Sequence, residues 1–213
     1  GHDGAANGQS EILAERQKCG SQVALIVKSI VTLFDEQNIR KTLILLLIWF
    51  TLSFGTYGIS TWISTLFDDC GIRDVYLNSL IFSTATIPGN LFTVYAMDMV
   101  GRSNMLMYGI ALGAVSLLGF ALDTSSAAMV VTFSSLFNMF SIAGWNALDV
   151  VTTELFPVNI RGMSLGIMGA CGRVGSIAAQ FANGQLESNI PLLLCVTTGC
   201  MLVGAFSVKL LKE

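Results

Sequence analysis

Residues 127–151 read AAMVVTFSSLFNMFSIAGWNALDVV, an apolar stretch that polar side chains interrupt at regular intervals. As an α-helix with a rise of 1.5 Å per residue it would be about 37 Å long, which exceeds the ~30 Å hydrocarbon core of a bilayer. Asp149 is the charged residue within it. The stretch therefore predicts a transmembrane helix, and it indicates the class of the whole chain.

Other stretches of similar length and character predict further spans. The six predicted spans are Thr42–Leu66, Leu77–Met97, Met105–Leu122, Ala127–Val151, Met163–Ala182 and Pro191–Leu210. Hydrophobic residues make up 53% of the 213 residues and charged residues 12%, about half of the charged fraction in a soluble domain. So little charge cannot cover the surface of a water-soluble fold. The sequence predicts an all-α membrane protein with six transmembrane helices.

The N-terminal region differs in composition from the spans. Residues 1–20 are polar and predict a cytoplasmic linker. Over residues 21–40 apolar side chains recur at helical spacing, but the stretch is too short to span, which predicts an amphipathic helix on the cytoplasmic membrane surface. Residues 41–213 then form the six-helix bundle.

The basic residues are distributed unequally between the two predicted sides. Of the eleven Lys and Arg residues, nine fall on the side that holds the N-terminus, Arg73 falls on the opposite side, and Arg173 lies within a span. The positive-inside rule therefore predicts that both termini are cytoplasmic. The predicted location is the plasma membrane or an intracellular vesicle, with several passes through the bilayer.

Composition and motifs argue against several classes of function. The net charge is −3 and the basic residues are scattered, so no nucleic-acid partner is expected. The five cysteines show no metal-ligand spacing, and the single histidine is His2 in the polar tail. Since nucleophile–base pairs and phosphate-binding glycine loops are also lacking, we expect no enzyme activity, no metal and no cofactor.

Small residues and a proline predict how the spans pack. Gly109-x-x-x-Gly113 and Gly162-x-x-x-Gly166 place glycines one helical turn apart, a spacing that lets transmembrane helices approach closely. Pro88 and Gly89 predict a kink in the second span, which neighbouring helices can stabilise.

Polar residues of the fourth span recur at steps of three or four residues, so they share one face of the helix. These residues are Ser134, Asn138, Ser141, Trp145, Asp149 and Thr152. Lipid would penalise this face, so it borders either a solute pathway or a seam of hydrogen bonds between helices. We favour the solute pathway because the face carries a carboxylate and a large amphipathic aromatic ring.

Arg173 is the second polar feature within the membrane. It follows Arg161 by twelve residues, about 18 Å along a helix, which places it near the midplane and level with Trp145. A guanidinium stays charged when buried, so it needs a partner. The candidates are Asp149 reached along the helix, a charge on a missing segment, and an anionic solute. In the first span, Tyr57 is the best candidate for a cavity-lining aromatic ring.

Two predicted cytoplasmic loops carry similar charges. The first reads Asp98-Met99-Val100-Gly101-Arg102, and the second runs from Glu154 to Arg161. One interpretation is that these are surface charges without a specific role, since exposed ion pairs contribute less than about 1 kcal/mol each to stability. The occurrence of such charges in both loops favours a cluster that joins helix ends and separates when they move.

These residues carry a family resemblance. Asp98-x-x-Gly101-Arg102 resembles the loop signature of the major facilitator superfamily, and Glu154-x-x-Pro157-x-x-x-Arg161-Gly162 resembles that of its sugar-porter-like branch. Around residues 145–155 the chain is similar to the synaptic vesicle glycoproteins, and around 172–175 to related organic-ion transporters. The resemblance covers about residues 25 to 210. It implies the C-terminal six helices of a twelve-helix protein, although residues 68–76 lack the long insertion of the vesicle glycoproteins.

The resemblance implies a secondary transporter that works by alternating access on a small organic ion or a sugar-like solute. It implies solute contacts at Tyr57, Asn138, Trp145, Asn146, Asp149 and Arg173. It implies a cytoplasmic gate of Asp98, Gly101, Arg102, Glu154 and Arg161. The partners would be the bilayer, the missing N-terminal half and a proton coupled through Asp149.

Two alternatives to this function stay open. One is a non-transporting vesicle scaffold or regulatory receptor of the synaptic-vesicle-glycoprotein type. The other is a pair of six-span chains that together form a complete transporter.

Overall fold

A computed structural model describes residues 26–122, 126–187 and 189–212. These residues form eight helices and, within the same ranges, no strand. The helices are α1 (26–33), α2 (Ile39–Asp69), α3 (Val75–Thr84), α4 (Thr86–Val100), α5 (Arg102–Leu122), α6 (Ala127–Leu155), α7 (Arg161–Leu186) and α8 (Ile190–Lys212). The prediction of an all-α fold is confirmed.

Five stretches are long and apolar enough to cross a membrane, namely α2, the combined α3–α4 segment, α5, α6 and α8. The helix of the remaining predicted span, α7, has the length but is too rich in glycine and polar residues to meet the same criterion. It lies parallel to α2, since Cys171 contacts the carbonyl of Leu46 and Asn183 bonds that of Gly58. Because α7 runs alongside α2, which is itself long enough to span a membrane, all six predicted spans are present as helices.

Contacts between side chains fix the directions of the other helices. Trp49 of α2 bonds Thr152 of α6, whereas Trp145 bonds Thr56, so α2 and α6 are antiparallel. Helix α8 is also antiparallel to α2, and α5 is antiparallel to α6, while α6 runs parallel to the α3–α4 segment. Successive spans therefore alternate in direction, as six passes through a bilayer require.

The second span is broken rather than merely kinked. Helix α3 ends at Thr84 and α4 begins at Thr86, three residues before the kink that the sequence predicts at Pro88. Pro88 lacks the N–H that would bond the carbonyl of Thr84, so the helix is interrupted one turn earlier. Asn138 of α6 donates a 2.7 Å hydrogen bond to the carbonyl of Phe82 beside the break. A neighbouring helix thus supplies the stabilisation that the sequence leads one to expect.

The two glycine pairs behave differently. A Cβ added at Gly109 would lie 2.8 Å from the backbone nitrogen of Gly144, so α5 and α6 meet backbone to backbone there. A Cβ at Gly162 or Gly166 would meet nothing within 4 Å. The prediction of close packing therefore holds for the first pair and is wrong for the second within the described part of the bundle.

The predicted surface helix is described only from residue 26 onward, and the predicted linker lies outside the described residues. In α1, Val27 and Val31 are exposed, whereas Leu33 is fully buried and its carbonyl accepts a hydrogen bond from Thr42. Helix α2 begins at Ile39, inside the range predicted for the surface helix.

Candidate functional site

Three aromatic rings from α2 and α6 are in contact, of which Trp49 is buried, Trp145 partly buried and Tyr57 39% exposed. The Trp145 ring lies 5.4 Å from that of Trp49 at an interplanar angle of 77°, and 5.9 Å from that of Tyr57 at 69°. Both pairs have the edge-to-face geometry that aromatic quadrupoles favour. We call these three residues the aromatic cluster.

Hydrogen bonds between helices fix the orientation of the two indoles. The Trp49 Nε1–H donates to the Thr152 hydroxyl at 3.0 Å, and the Trp145 Nε1–H donates to the Thr56 hydroxyl at 3.0 Å. The polar face of α6 is therefore partly a seam between helices, at Thr152, and partly a cavity wall, at Trp145. The two interpretations of that face, a seam of hydrogen bonds and a solute pathway, therefore apply to different residues on it.

A cavity of about 220 Å³ lies on one side of the aromatic cluster. Its lining combines hydroxyl, amide, aromatic and aliphatic groups from α2 and α6. The lining residues are Thr56, Tyr57, Ser60, Asn138, Ser141, Ile142 and Trp145. An apolar cavity with a few placed polar groups is typical of a small-molecule site.

A second cavity, of about 70 Å³, lies between α2, α6 and α7. Its lining residues are Trp49, Ser53, Tyr57, Trp145, Gly169, Gly172 and Arg173. Tyr57 and Trp145 border both cavities, so the larger and the smaller compartment meet at these two rings.

Arg173 brings a positive charge to the smaller cavity. Its guanidinium carbon lies 5.4 Å from the centre of the Tyr57 ring, within the range of a cation–π contact. The ion pair found among the described residues joins Arg102 and Glu154, so a direct pair between Asp149 and Arg173 is not formed there. Asp149 is exposed and lines neither of these two cavities.

The two asparagines predicted as solute contacts both bond the second span. Asn138 lines the larger cavity but uses its Nδ2–H on Phe82. Asn146 donates a 2.8 Å hydrogen bond to the side-chain oxygen of Asn90 in α4 and lines neither cavity. Of the six predicted contacts, the structure brings four to the cavities, namely Tyr57, Asn138, Trp145 and Arg173.

Sequence reasoning missed some lining residues. Ser53 and Gly172 line the smaller cavity because α2 and α7 approach closely, and a Cβ at Gly172 would lie 2.6 Å from the Ser53 hydroxyl oxygen. A single serine within an apolar helix carries no periodic signal. The weak signal that was present is the run of small residues around Gly172.

The predicted cytoplasmic charges are only partly joined. Arg102 at the start of α5 pairs with Glu154 near the end of α6, with side chains 51% and 45% exposed. Asp98 is exposed, and the Nε of Arg161 is buried without a hydrogen-bond partner among the described residues. Gly101 has a φ of 86°, which favours glycine at the turn between α4 and α5.

Comparison with known proteins gives a family and several relatives. The family model for "Sugar (and other) transporter" matches residues 4–211. Synaptic vesicle glycoprotein 2C of Homo sapiens is 32% identical over 136 residues, which is 62% of this chain and 19% of that protein. The niacin transporter NiaP of Acinetobacter baylyi is 32% identical over 149 residues, which is 69% of this chain and 34% of that protein.

A third relative is solute carrier family 22 member 13 of Homo sapiens. It is 29% identical over 166 residues, which is 76% of this chain and 29% of that protein. The matched part of the chain thus spans between about a fifth and a third of the length of these relatives.

The family model covers nearly the whole chain and agrees with the alternating six-helix bundle. The family is one of transporters, which confirms the prediction that the chain is not an enzyme. The chain belongs to the sugar (and other) transporter family of the major facilitator superfamily.

Proposed function

We propose that the chain forms the C-terminal half of a secondary transporter that moves a small organic anion by alternating access. The observation that carries this proposal is the pair of cavities that meet at Tyr57 and Trp145, with Arg173 in the smaller one. Pockets near the middle of the membrane, at the interface between two halves, are where carriers of this type bind solute.

The charge of Arg173 favours an anion over a neutral sugar. Its contact among the described residues is the face of Tyr57, and no carboxylate of the described chain pairs with it. A charge at membrane depth is costly unless it is neutralised. An anionic solute would supply that neutralisation. The relative named as a niacin transporter fits this proposal, since niacin is a flat carboxylate at neutral pH.

The remaining parts of the mechanism follow from the same architecture. The Arg102–Glu154 pair would join two helix ends of this half on the cytoplasmic side. Asp98, which is exposed, and Arg161, whose Nε has no partner in the described part of the chain, would contact the other half and release it as the two halves rock. Asp149 would carry the coupling proton, since it lies on the polar face of α6 about 9 Å from the helix end at Leu155. Both termini would be cytoplasmic, in the plasma membrane or a vesicle.

The test is uptake by the complete gene product in proteoliposomes under an inward proton gradient. The probes are radiolabelled nicotinate, benzoate, tetraethylammonium and glucose. We expect saturable accumulation of the two carboxylates. Arg173→Gln should lower the rate by about 30-fold or more, because the charged partner of the carboxylate is lost. Asp149→Asn should abolish the response to the proton gradient.

Arg73→Gln is the matched control, because Arg73 is an exposed arginine in the short turn between α2 and α3. It should leave the uptake rate unchanged. Accumulation of glucose alone, insensitive to Arg173→Gln, would refute the organic-anion proposal, and no accumulation of any probe would refute transport.

The second candidate is a vesicle membrane protein that binds solute or partners without moving solute. The similarity to synaptic vesicle glycoproteins 2C and 2B favours it. Saturable binding of a probe in detergent, together with no accumulation in proteoliposomes, would support this function over transport.

A further inference from the structure

Buried hydroxyls in the described helices follow a common pattern, from which a few depart. Most donate to the carbonyl one turn earlier, as Thr51, Thr56, Ser116, Thr152, Thr197 and Ser207 do. This is the expected arrangement where no water competes. The side chains of Ser53 and Ser141 are 1% and 2% exposed, yet neither hydroxyl oxygen has a hydrogen-bond partner in the described part of the chain.

The two serines lie in the walls of the two cavities. Ser141 lines the larger cavity and Ser53 lines the smaller one, beside Arg173. In the larger cavity the Thr56 hydroxyl is already engaged, since it donates to Leu52 and accepts from Trp145. Ser141 therefore supplies the buried hydroxyl of that wall that still has hydrogen-bonding capacity.

Lack of a partner alone does not mark a solute contact. Ser135 and Thr198 also have unpartnered hydroxyls, but Ser135 lines a separate, mainly apolar groove between α3 and α6, and Thr198 lines none of the cavities described above. Ser53 and Ser141 differ because each borders a compartment that Tyr57 and Trp145 also line. Leaving a buried hydroxyl unpaired destabilises the fold, and a bound polar group that pairs with it would relieve that cost.

The sizes of the compartments indicate what each can hold. Water occupies about 30 Å³ in the liquid, so a cavity of about 70 Å³ has room for a group of the size of a carboxylate. The cavity of about 220 Å³ has room for a ring, and the edge-to-face rings of Trp145 and Tyr57 favour a flat one.

We infer that Ser53 and Ser141 determine solute specificity, one at each end of a flat organic anion that carries a second hydrogen-bonding group opposite its anionic group. Ser53 hydrogen-bonds the anionic end beside Arg173, and Ser141 hydrogen-bonds the distal polar group. This inference rests on the proposed binding of an organic anion between the two cavities.

The test compares benzoate with 4-hydroxybenzoate, which differ only in a hydroxyl opposite the carboxylate. Binding to the purified complete protein is measured by titration calorimetry, and uptake is measured separately in proteoliposomes. The unmodified protein should bind 4-hydroxybenzoate about tenfold more tightly, the value of one hydrogen bond. Ser141→Ala should remove this preference without weakening benzoate. Ser53→Ala should weaken both probes by about fivefold and keep the preference.

Ser116→Ala is the matched control, because the Ser116 hydroxyl is buried in α5 and bonds the Leu112 carbonyl. It should change neither affinity. Should Ser141→Ala fold poorly, Ser141→Cys replaces it, since a thiol is only moderately larger than a hydroxyl and is a weak donor. It too should lose the preference.

A preference retained in the Ser141 variants would overturn the inference, and so would failure of the unmodified protein to bind either probe. Accumulation of tetraethylammonium or glucose in the same proteoliposomes would then still support transport. Conversely, the expected affinity pattern without uptake would support the inference and count against transport, so the two failures are distinguishable.

Discussion

The aromatic cluster of Trp49, Tyr57 and Trp145 and the charge cluster of Asp98, Arg102, Glu154 and Arg161 use opposite means to join helices. The first is held by two neutral indole–hydroxyl bonds of 3.0 Å, and Trp49 is 8% exposed. The second is held by one ion pair whose side chains are about half exposed. Inside the membrane no water competes for a hydrogen bond, whereas at the surface water and salt weaken every charge pair. The two clusters therefore differ in how strongly water and salt weaken the contacts that hold them.

The largest expected effect is at the centre of the aromatic cluster. Trp145→Ala should lower the free energy of unfolding by about 3 kcal/mol or more, because it removes a large ring that packs on two others. Denaturant unfolding in mixed micelles measures this loss. Trp145→Phe, which keeps a ring but loses the bond to Thr56, should cost only about 1 kcal/mol. Equal losses in both variants would show that ring packing contributes little.

A smaller effect is expected for the hydrogen bond between Trp49 and Thr152. A double-mutant cycle with Trp49→Phe and Thr152→Val should give a coupling free energy of about 1 kcal/mol, typical of a neutral buried bond. Because the bond is neutral and buried, the coupling should be the same in 0.1 M and 1 M salt. A coupling that falls with salt would contradict the distinction between the two clusters.

The charge cluster should give a weaker coupling. The cycle of Arg102→Gln and Glu154→Gln should yield less than about 1 kcal/mol. This value should fall further in 1 M salt, where the Debye length is about 3 Å. A salt-independent coupling as large as that of the Trp49 pair would show that the surface contact is not readily reversible.

The last prediction concerns the orientation of the chain in the membrane and expects no change in stability. Cys70 ends the first span, so in the predicted orientation it lies opposite the charge cluster. An impermeant maleimide should label it in intact cells, and Cys70→Ser should remove that labelling. Burial and the neighbouring Asp69 carboxylate raise the pKa of the Cys70 thiol. Since the thiolate is the reactive form, labelling should be slow at pH 7 and should keep rising above about pH 8.5. For protein at the plasma membrane, where the side opposite the charge cluster would face the medium, labelling only after permeabilisation would reverse the orientation.

Much of the bundle could be predicted because its signals are local. The predicted fourth span, residues 127–151, lies within α6 and shares its first residue, Ala127. The depth of Arg173 relative to Trp145 also follows from helix rise alone, and both residues line the smaller cavity. The position of the break in the second span is less local, because Asn138 of α6 donates a hydrogen bond to the Phe82 carbonyl beside the break, a contact that no pattern within the span predicts.

The roles of Asn146 and Ser53 could not be predicted from the sequence. Both are polar residues in apolar helices, yet Asn146 bonds Asn90 and Ser53 lines a cavity. Whether a side chain bonds a neighbouring helix or lines a cavity depends on how its helix is rotated about its own axis. Successive residues of a helix are about 100° apart around its axis. A small rotation of the helix can therefore move a side chain from a contact with a neighbouring helix to the wall of a cavity.

The sequence by itself determined the membrane class, the six helices and the polar face of α6, because hydropathy and periodicity are properties of each segment alone. Only the tertiary structure decided that Arg173 meets Tyr57 rather than Asp149. The physical reason is the parallel packing of α2 and α7, in which a Cβ at Gly175 would lie 2.6 Å from the Phe50 carbonyl oxygen. That contact joins segments far apart in the chain, and no local pattern encodes it.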